Sequence, residues 1–351
     1  LVRIDATSDR ERGVADYVRS FLFPLGIEVQ EDDAGSVRGG SSGNLICRAG
    51  SGGDLLLTAH MDTARPTADL TPVVTEDRIT SDGSTILGAD NRAGVAVILH
   101  TLERLIRQER VPVDMTAAFT ICEEVDLTGS KKLAIPDAVA CAFVMDSSTR
   151  PGQFINRSFG ACRWQADVHG RAAHAGLAPE EGVNALLIAS QAVVGMELGR
   201  IADETVANVG RMHGGDAINI VPDHAVVEGE IRSLDEGRIE GLVADVQQSF
   251  ERAAQKAGGA IEFEEFWDFR PYSLAEDAEV CRRLSRVLEE LGLEPEPKTS
   301  AGGSDANSLN AKGLPAVNVG IGAQNPHALD EFILLEDLAN AAAIATGLVT
   351  A

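Results

Sequence analysis

Leu55-Leu-Leu-Thr-Ala-His-Met-Asp62 is a short apolar run that ends in a histidine and, two residues later, an aspartate. A strand covered on both faces has this look, and side chains just past its end reach the edge of a sheet. Two more runs finish the same way. Met115 to Ile121 leads into Glu123-Glu124, and Cys141 to Met145 leads into Asp146. Helical spacing appears around them. Val14, Tyr17, Val18, Phe21, Leu22 and Leu25 follow the capping candidates Thr7 and Ser8, and Val95, Ile98, Leu99, Leu102 and Ile106 begin just after Asp90. Strands alternating with helices predict an α/β catalytic domain with a mostly parallel, covered sheet. In such sheets ligands gather beyond the carboxyl ends of the strands, where these residues fall.

From about Phe159 the pattern changes. Ala161–Val168 reads as a strand, Val183–Met196 as a helix, Thr205–Met212 and Ala225–Ile231 as paired strands. Ile239 to Ala253 reads as a long amphipathic helix and Ala260–Phe263 as a last strand. The order β-α-β-β-α-β predicts a ferredoxin-like α+β unit with two helices on one face of a four-stranded antiparallel sheet. After about Pro271 the alternation resumes with Val280–Leu291, Ala316–Val319 and then His327. The expectation is a catalytic metal-binding domain, 1–158 and 269–351, interrupted by a lid and dimerisation domain, 159–268. Two domains also suit a chain of 351 residues.

Asp and Glu number 54 against 30 Lys and Arg, a formal charge of −24. That balance repels phosphate backbones and anionic lipid, so neither nucleic acid nor a membrane surface is expected as a partner. No apolar run reaches the about 20 residues that span a bilayer. Leu1-Val-Arg-Ile-Asp5 shows no basic region followed by a hydrophobic one. Five scattered cysteines without a CxxC pair fit a reduced compartment, so a cytoplasmic location is expected. Gly35-Ser-Val-Arg-Gly-Gly-Ser-Ser-Gly43 reads as a mobile hairpin turn rather than a phosphate cradle, since no lysine and no helix follow it.

Five residues of metal-binding type therefore stand in the order His60, Asp90, Glu124, Asp146, His327, with a spare carboxylate at Glu123. Alone, His60 and Asp62 would more often be a surface histidine beside an unrelated aspartate. Asp90, in Gly88-Ala-Asp-Asn-Arg-Ala-Gly94, would more often be a helix cap. Together they suggest a two-metal hydrolase. Asp62 sits where it can orient the His60 imidazole, and the two oxygens of Asp90 can bridge two cations. Adjacent Glu123 and Glu124 point different ways on an extended or turning chain, so one can bind metal while the other faces water. Oxygen and imidazole donors without thiolate suit two ions of zinc, cobalt or manganese in a catalytic site.

Thr58-Ala-His-Met-Asp-Thr63, Gly88-Ala-Asp-Asn91 and Gly302-Gly-Ser-Asp-Ala-Asn307 as a set resemble a known group. It is the co-catalytic zinc peptidase family of peptidase T, carboxypeptidase G, aminoacylase and succinyl-diaminopimelate desuccinylase. The resemblance runs from about Asp5 to Leu348 and is nearest the peptidase T-like branch. It implies one metal on His60, Asp90 and Asp146 and a second on Asp90, Glu124 and His327, with Asp90 bridging and Glu123 as general base. An Asp at 146 is implied to mark aminopeptidase-type members, and a cis peptide is implied at Asp90-Asn91.

Gly170-Arg-Ala-Ala-His-Ala-Gly176 resembles the family's lid motif. His174 is thereby implied to stabilise the oxyanion, in its own or the neighbouring subunit's site. Asn219 and Arg232 match lid residues that grip substrate. Bland readings remain, His174 as a turn hydrogen-bonder and Arg232 as a surface ion pair. His100, His169, His213 and His224 match no ligand position. Peptidase T carries an arginine where this chain reads Thr299-Ser-Ala-Gly-Gly303, which speaks against tight tripeptide specificity. The expected activity is hydrolysis of an amide bond in small peptides, aminopeptidase- or tripeptidase-like. The alternatives are an amidohydrolase for N-acyl or carbamoyl amino acids and a non-catalytic relative that associates through its lid.

Overall fold

The computed structural model describes residues 1–108 and 114–350. The chain divides into two compact units, Leu1–Arg157 with Tyr272–Ala351 and Ser158–Pro271.

In the first unit, Leu55–His60, Met115–Thr120 and Cys141–Ser147 are buried along their whole length, as apolar runs without polar alternation require. They lie in a sheet of nine strands among the described residues. Leu55–His60 pairs in parallel with both of the others, and Ala316–Gly320 adds a fourth parallel strand beside Cys141–Ser147. The flanking strands Leu45–Ala49 and Gln153–Ser158 are antiparallel to this core, so the α/β sheet is mixed at its margins. The register sets His60 opposite Thr120 and Thr58 opposite Val144. His60, Glu123 and Asp146 are therefore carried to one end of the sheet.

Both sheet faces are covered. On one, Val14 and Val18, Val95 and Ile98, Leu284 and Val287, and Ile344 and Leu348 bring four helices into one core. On the other, Ala306 and Leu309 of the helix Asp305–Ala311 pack against Leu56, Ala118, Ala142 and Val144. The helix Ala89–Gln108 leaves helical geometry at Asp90 and Asn91, which are joined by a cis peptide. Gly94 lets this helix press against the sheet, because a Cβ there would lie 2.0 Å from the Met145 carbonyl oxygen.

The details correct two local readings. Thr7 and Ser8 do not cap the first helix, which runs Arg12–Leu22 with Glu11 at the cap position. The Ser8 hydroxyl instead donates to Asp62 across 2.7 Å. The glycine-rich stretch does connect the antiparallel strands Val29–Glu31 and Leu45–Ala49, but it is a built turn rather than a loose one. It contains a 3-10 turn, Ala34–Val37, and a Cβ on Gly43 would lie 1.9 Å from the Asp32 carbonyl oxygen. Glu31 holds it, accepting from the Gly43 N–H at 2.9 Å, from Arg12 at 2.5 Å and from Arg19 at 2.8 Å.

In the second unit the antiparallel order is Gly199–Ala202, Thr205–Gly214, His224–Ser233, Gly160–His169, Ala260–Phe269. The first of these is a strand beyond the four expected, a short edge piece with no apolar run to announce it. The helices Ala185–Val194 and Glu236–Ala257 start at Asn184 and Asp235, whose side chains accept from N–H groups three residues on. Ile188 and Ala189, with Val243 and Phe250, meet Trp164, Val168 and Val227 in a separate core.

Candidate metal centre

His60 is 2 % exposed at the end of its strand. Its Nδ1 lies 3.1 Å from the Asp62 carbonyl oxygen and 3.2 Å from Asp62 Oδ1. Asp62 is itself pinned, accepting from the N–H groups of Glu123 at 3.1 Å and Glu124 at 3.2 Å. This leaves His60 Nε2 facing Asp90 Oδ1 at 3.2 Å, Asp146 Oδ1 at 3.3 Å and Glu123 Oε2 at 3.9 Å. The other Asp90 oxygen, Oδ2, lies 3.4 Å from His327 Nε2, and Glu124 Oε1 lies 3.0 Å from the same nitrogen. The two oxygens of Asp90 thus each face a different imidazole.

His327 arrives by a route the sequence pattern did not show. It sits at φ +66° in the turn between the short antiparallel strands Ala323–Gln324 and Phe332–Leu334. Glu123 and Glu124 are not on extended chain but open a one-turn helix, Glu123–Asp126, entered through Cys122 at φ +53°.

Burial opposes a charge on His60, yet Glu123, Asp146, Asp62 and Asp90 outweigh it and hold its pKa well above the usual imidazole value. Hydrogen bonds to Asp90 and Glu124 push His327 up to about 10. Burial also works against the Asp90 charge, but His327 and His60 overcome it and keep that carboxyl below its usual range. Burial raises Glu123 well above an ordinary glutamate, with Asp146 and Glu124 adding repulsion, and it raises Glu124 and Asp146 as well.

The donor set fits divalent metal. One N–H on His60 Nε2 cannot serve three carboxylates, and the buried Asp146 Oδ1 makes no hydrogen bond. Ligand atoms of His60, Asp90 and Glu124 all lie within 4.8 Å of one another. Cations between crowded carboxylates and imidazoles would relieve both conditions. All five cysteines are free and buried, and none is among these donors.

In the second unit, His174 and Asn219 lie on neighbouring loops. The Ala175 N–H donates to the Asn219 carbonyl oxygen at 3.0 Å, and His174 Nδ1 accepts from the Gly176 N–H at 3.1 Å. Both residues are exposed. Arg232 lies on the strand His224–Ser233, paired with Glu230 at 3.0 Å and 6.0 Å from the Phe269 ring centre.

The sequence reading missed the residues behind the centre. Arg92, 1 % exposed, donates to the Met61 and Ala6 carbonyl oxygens. Glu11 accepts from the Cys122 N–H, and Asp305 accepts from the Thr120 hydroxyl. Asp305 lies in the Gly302-Gly-Ser-Asp stretch, where nothing local marks it as buried. Burial pushes its carboxyl up to about 6. Arg92 follows Asp90-Asn91 in the sequence, so no local pattern marks it as buried.

Fold and site together define an α/β protein with carboxylates and imidazoles converging at the ends of its sheet strands. The chain belongs to the peptidase family M20/M25/M40, whose model matches residues 56–351. It is 33 % identical to the uncharacterized protein YqjE of Bacillus subtilis, over 99 % of this chain and 95 % of that one. Among solved structures it is similar to aminopeptidase PepT from Bacillus cereus, at 35 % identity and TM-score 0.90, covering 99 % of this chain and 95 % of that chain. A tripeptidase from Staphylococcus aureus is similar at 31 % identity and TM-score 0.92, covering 99 % and 94 %. No described helix is long and apolar enough to cross a membrane.

Proposed function

We propose that this protein is a two-metal exopeptidase that removes residues from the amino end of small peptides. The observation that carries the proposal is Asp90, whose two oxygens reach out to His60 on one side and His327 on the other. His60, Asp90 and Asp146 would hold one ion, and Asp90, Glu124 and His327 the other. Zinc suits these donors best, with cobalt or manganese also suited. Bound there, the ions supply Lewis-acid polarisation of the substrate carbonyl and make water acidic near neutral pH.

The chain's own groups do the rest. Asp62 fixes the His60 ring from behind. Glu123, buried beside the centre, takes a proton from the attacking water and returns it to the leaving amine. Its covered surroundings support the role, since burial makes the carboxyl hold a proton more readily than an ordinary glutamate does. In this reading Ser158–Pro271 is the lid, and it also pairs two copies of the chain. His174 holds the developing oxyanion, in its own or the neighbouring subunit's site, while Asn219 and Arg232 grip the peptide. The likeness to the Bacillus cereus aminopeptidase and the Staphylococcus aureus tripeptidase supports the substrate class. The uncharged stretch 299–303 favours a range of peptide lengths over tripeptides alone.

Chelator-treated protein reloaded with Zn²⁺ or Co²⁺ should cleave Ala-Ala-Ala and Ala-Ala while leaving N-acetylalanine intact. Preference for the acetylated substrate would replace this reading with an acyl amino acid hydrolase.

A further inference from the structure

We infer that Glu331 is a positioning residue that fixes the separation of Asp90 and His327, an inference that rests on the metal-centre reading above. Glu331 is 0 % exposed. Its Oε2 accepts from the Gly88 N–H at 2.8 Å, and its Oε1 accepts from the Asp90 N–H at 3.0 Å. One carboxylate therefore grips the main chain on both sides of Ala89, at the entrance of the helix that carries Asp90. Its negative charge also suits the N-terminal end of that helix.

The other end of the link is the His327 turn. Asn325 Nδ2 donates to Asp330 at 3.0 Å, the Ala328 N–H donates to the Asn325 carbonyl oxygen at 3.2 Å, and the Glu331 N–H donates to that of Ala328 at 3.1 Å. These bonds tie His327 to the Glu331 backbone. Beyond it, Phe332–Leu334 pairs with Arg78–Thr80, and the Ser81 N–H donates to the Glu331 carbonyl oxygen at 3.4 Å. The strand Arg78–Thr80 leads on to Gly88, so the loop is closed at both ends. Residues 88–90 and 327–331, distant in sequence, are held together by these hydrogen bonds.

The chemistry requires a carboxylate rather than any polar group. The Gly88 and Asp90 N–H groups meet different oxygens, and glutamine in the same pose would turn its own NH₂ toward one of them. Placing a buried carboxylate next to Asp90 adds repulsion, which a merely structural bond could avoid. Glu331 spends both oxygens on the main chain and acts through Asp90 and His327.

The test titrates metal-free wild type, Glu331→Gln, Glu331→Asp and Glu31→Gln with Zn²⁺ against a chromophoric chelator, and records the visible spectrum of each with Co²⁺. Glu331→Gln should weaken one of the two zinc sites by about 10- to 100-fold and change the cobalt spectrum. Glu331→Asp, which keeps both oxygens on a shorter arm, should fall between it and wild type. Glu31→Gln, a destabilising change away from the centre, should bind zinc as wild type does. Wild-type affinity and spectrum in folded Glu331→Gln would overturn the inference, and so would an equal loss in Glu31→Gln. If Glu331→Gln does not fold, wild-type binding by Glu331→Asp overturns it instead. Wild type that takes up no zinc would refute the metal centre itself, a different result from either.

Discussion

Two clusters in the first unit put a glutamate to opposite effect. At Glu31 the carboxylate meets Arg12, Arg19 and the Gly43 N–H. Burial opposes its charge, but Arg12 and its other partners win and lower its pKa to about 2. At Glu123, burial and the charges of Asp146, Glu124 and Asp305 outweigh the pull of His60 and drive its pKa the other way. Opposite charges paired at a surface hold a turn in place. Like charges crowded in a covered spot cost stability unless imidazoles, protons or bound cations offset them, which is why such clusters mark functional sites.

The contrast can be broken by substitution. Glu123→Ala should lose about 10²- to 10⁴-fold in kcat while retaining two equivalents of zinc, measured by metal analysis beside steady-state kinetics. Normal turnover in that variant would mean the base lies elsewhere. His174→Ala comes next, with about 10²- to 10³-fold expected in kcat at unchanged melting temperature, since the exposed ring packs on little. An unaltered rate would take the second unit out of the chemistry and leave Glu123 and its neighbours to act alone.

The smallest effect belongs to Glu31→Gln, which should leave kcat untouched. A carboxyl whose folded pKa lies below its unfolded value contributes stability above about pH 4.5 and loses it as pH falls toward 2. The variant should therefore be less stable at pH 7 by on the order of 1–2 kcal/mol, after allowing for the partial exposure of Arg12. Denaturation curves should converge with wild type near pH 2. A gap that persists there would mean the turn is held by packing rather than by charge.

Much of the fold was legible in local pattern. Unbroken apolar runs at Leu55, Met115 and Cys141 became fully buried strands, and the change of rhythm near Phe159 became a separate antiparallel unit. The cis peptide at Asp90-Asn91, implied by resemblance, is present. The first cap was misread because Ser8 is drawn away by Asp62, a partner 54 residues distant. The edge strand Gly199–Ala202 and the strand pair that carries His327 are too short to leave a periodic signal. No local pattern marks Arg92, Glu11 or Glu331, whose partners lie far along the chain.

By itself the sequence determined which stretches are buried and which reactive side chains follow them, because periodicity and strand ends are properties of neighbouring residues. Only the tertiary structure decided that one Asp90 oxygen faces His60 and the other His327, and that Glu331 clasps the chain beside them. Those separations are set by how helices and strands far apart in the chain pack together, which no local pattern records.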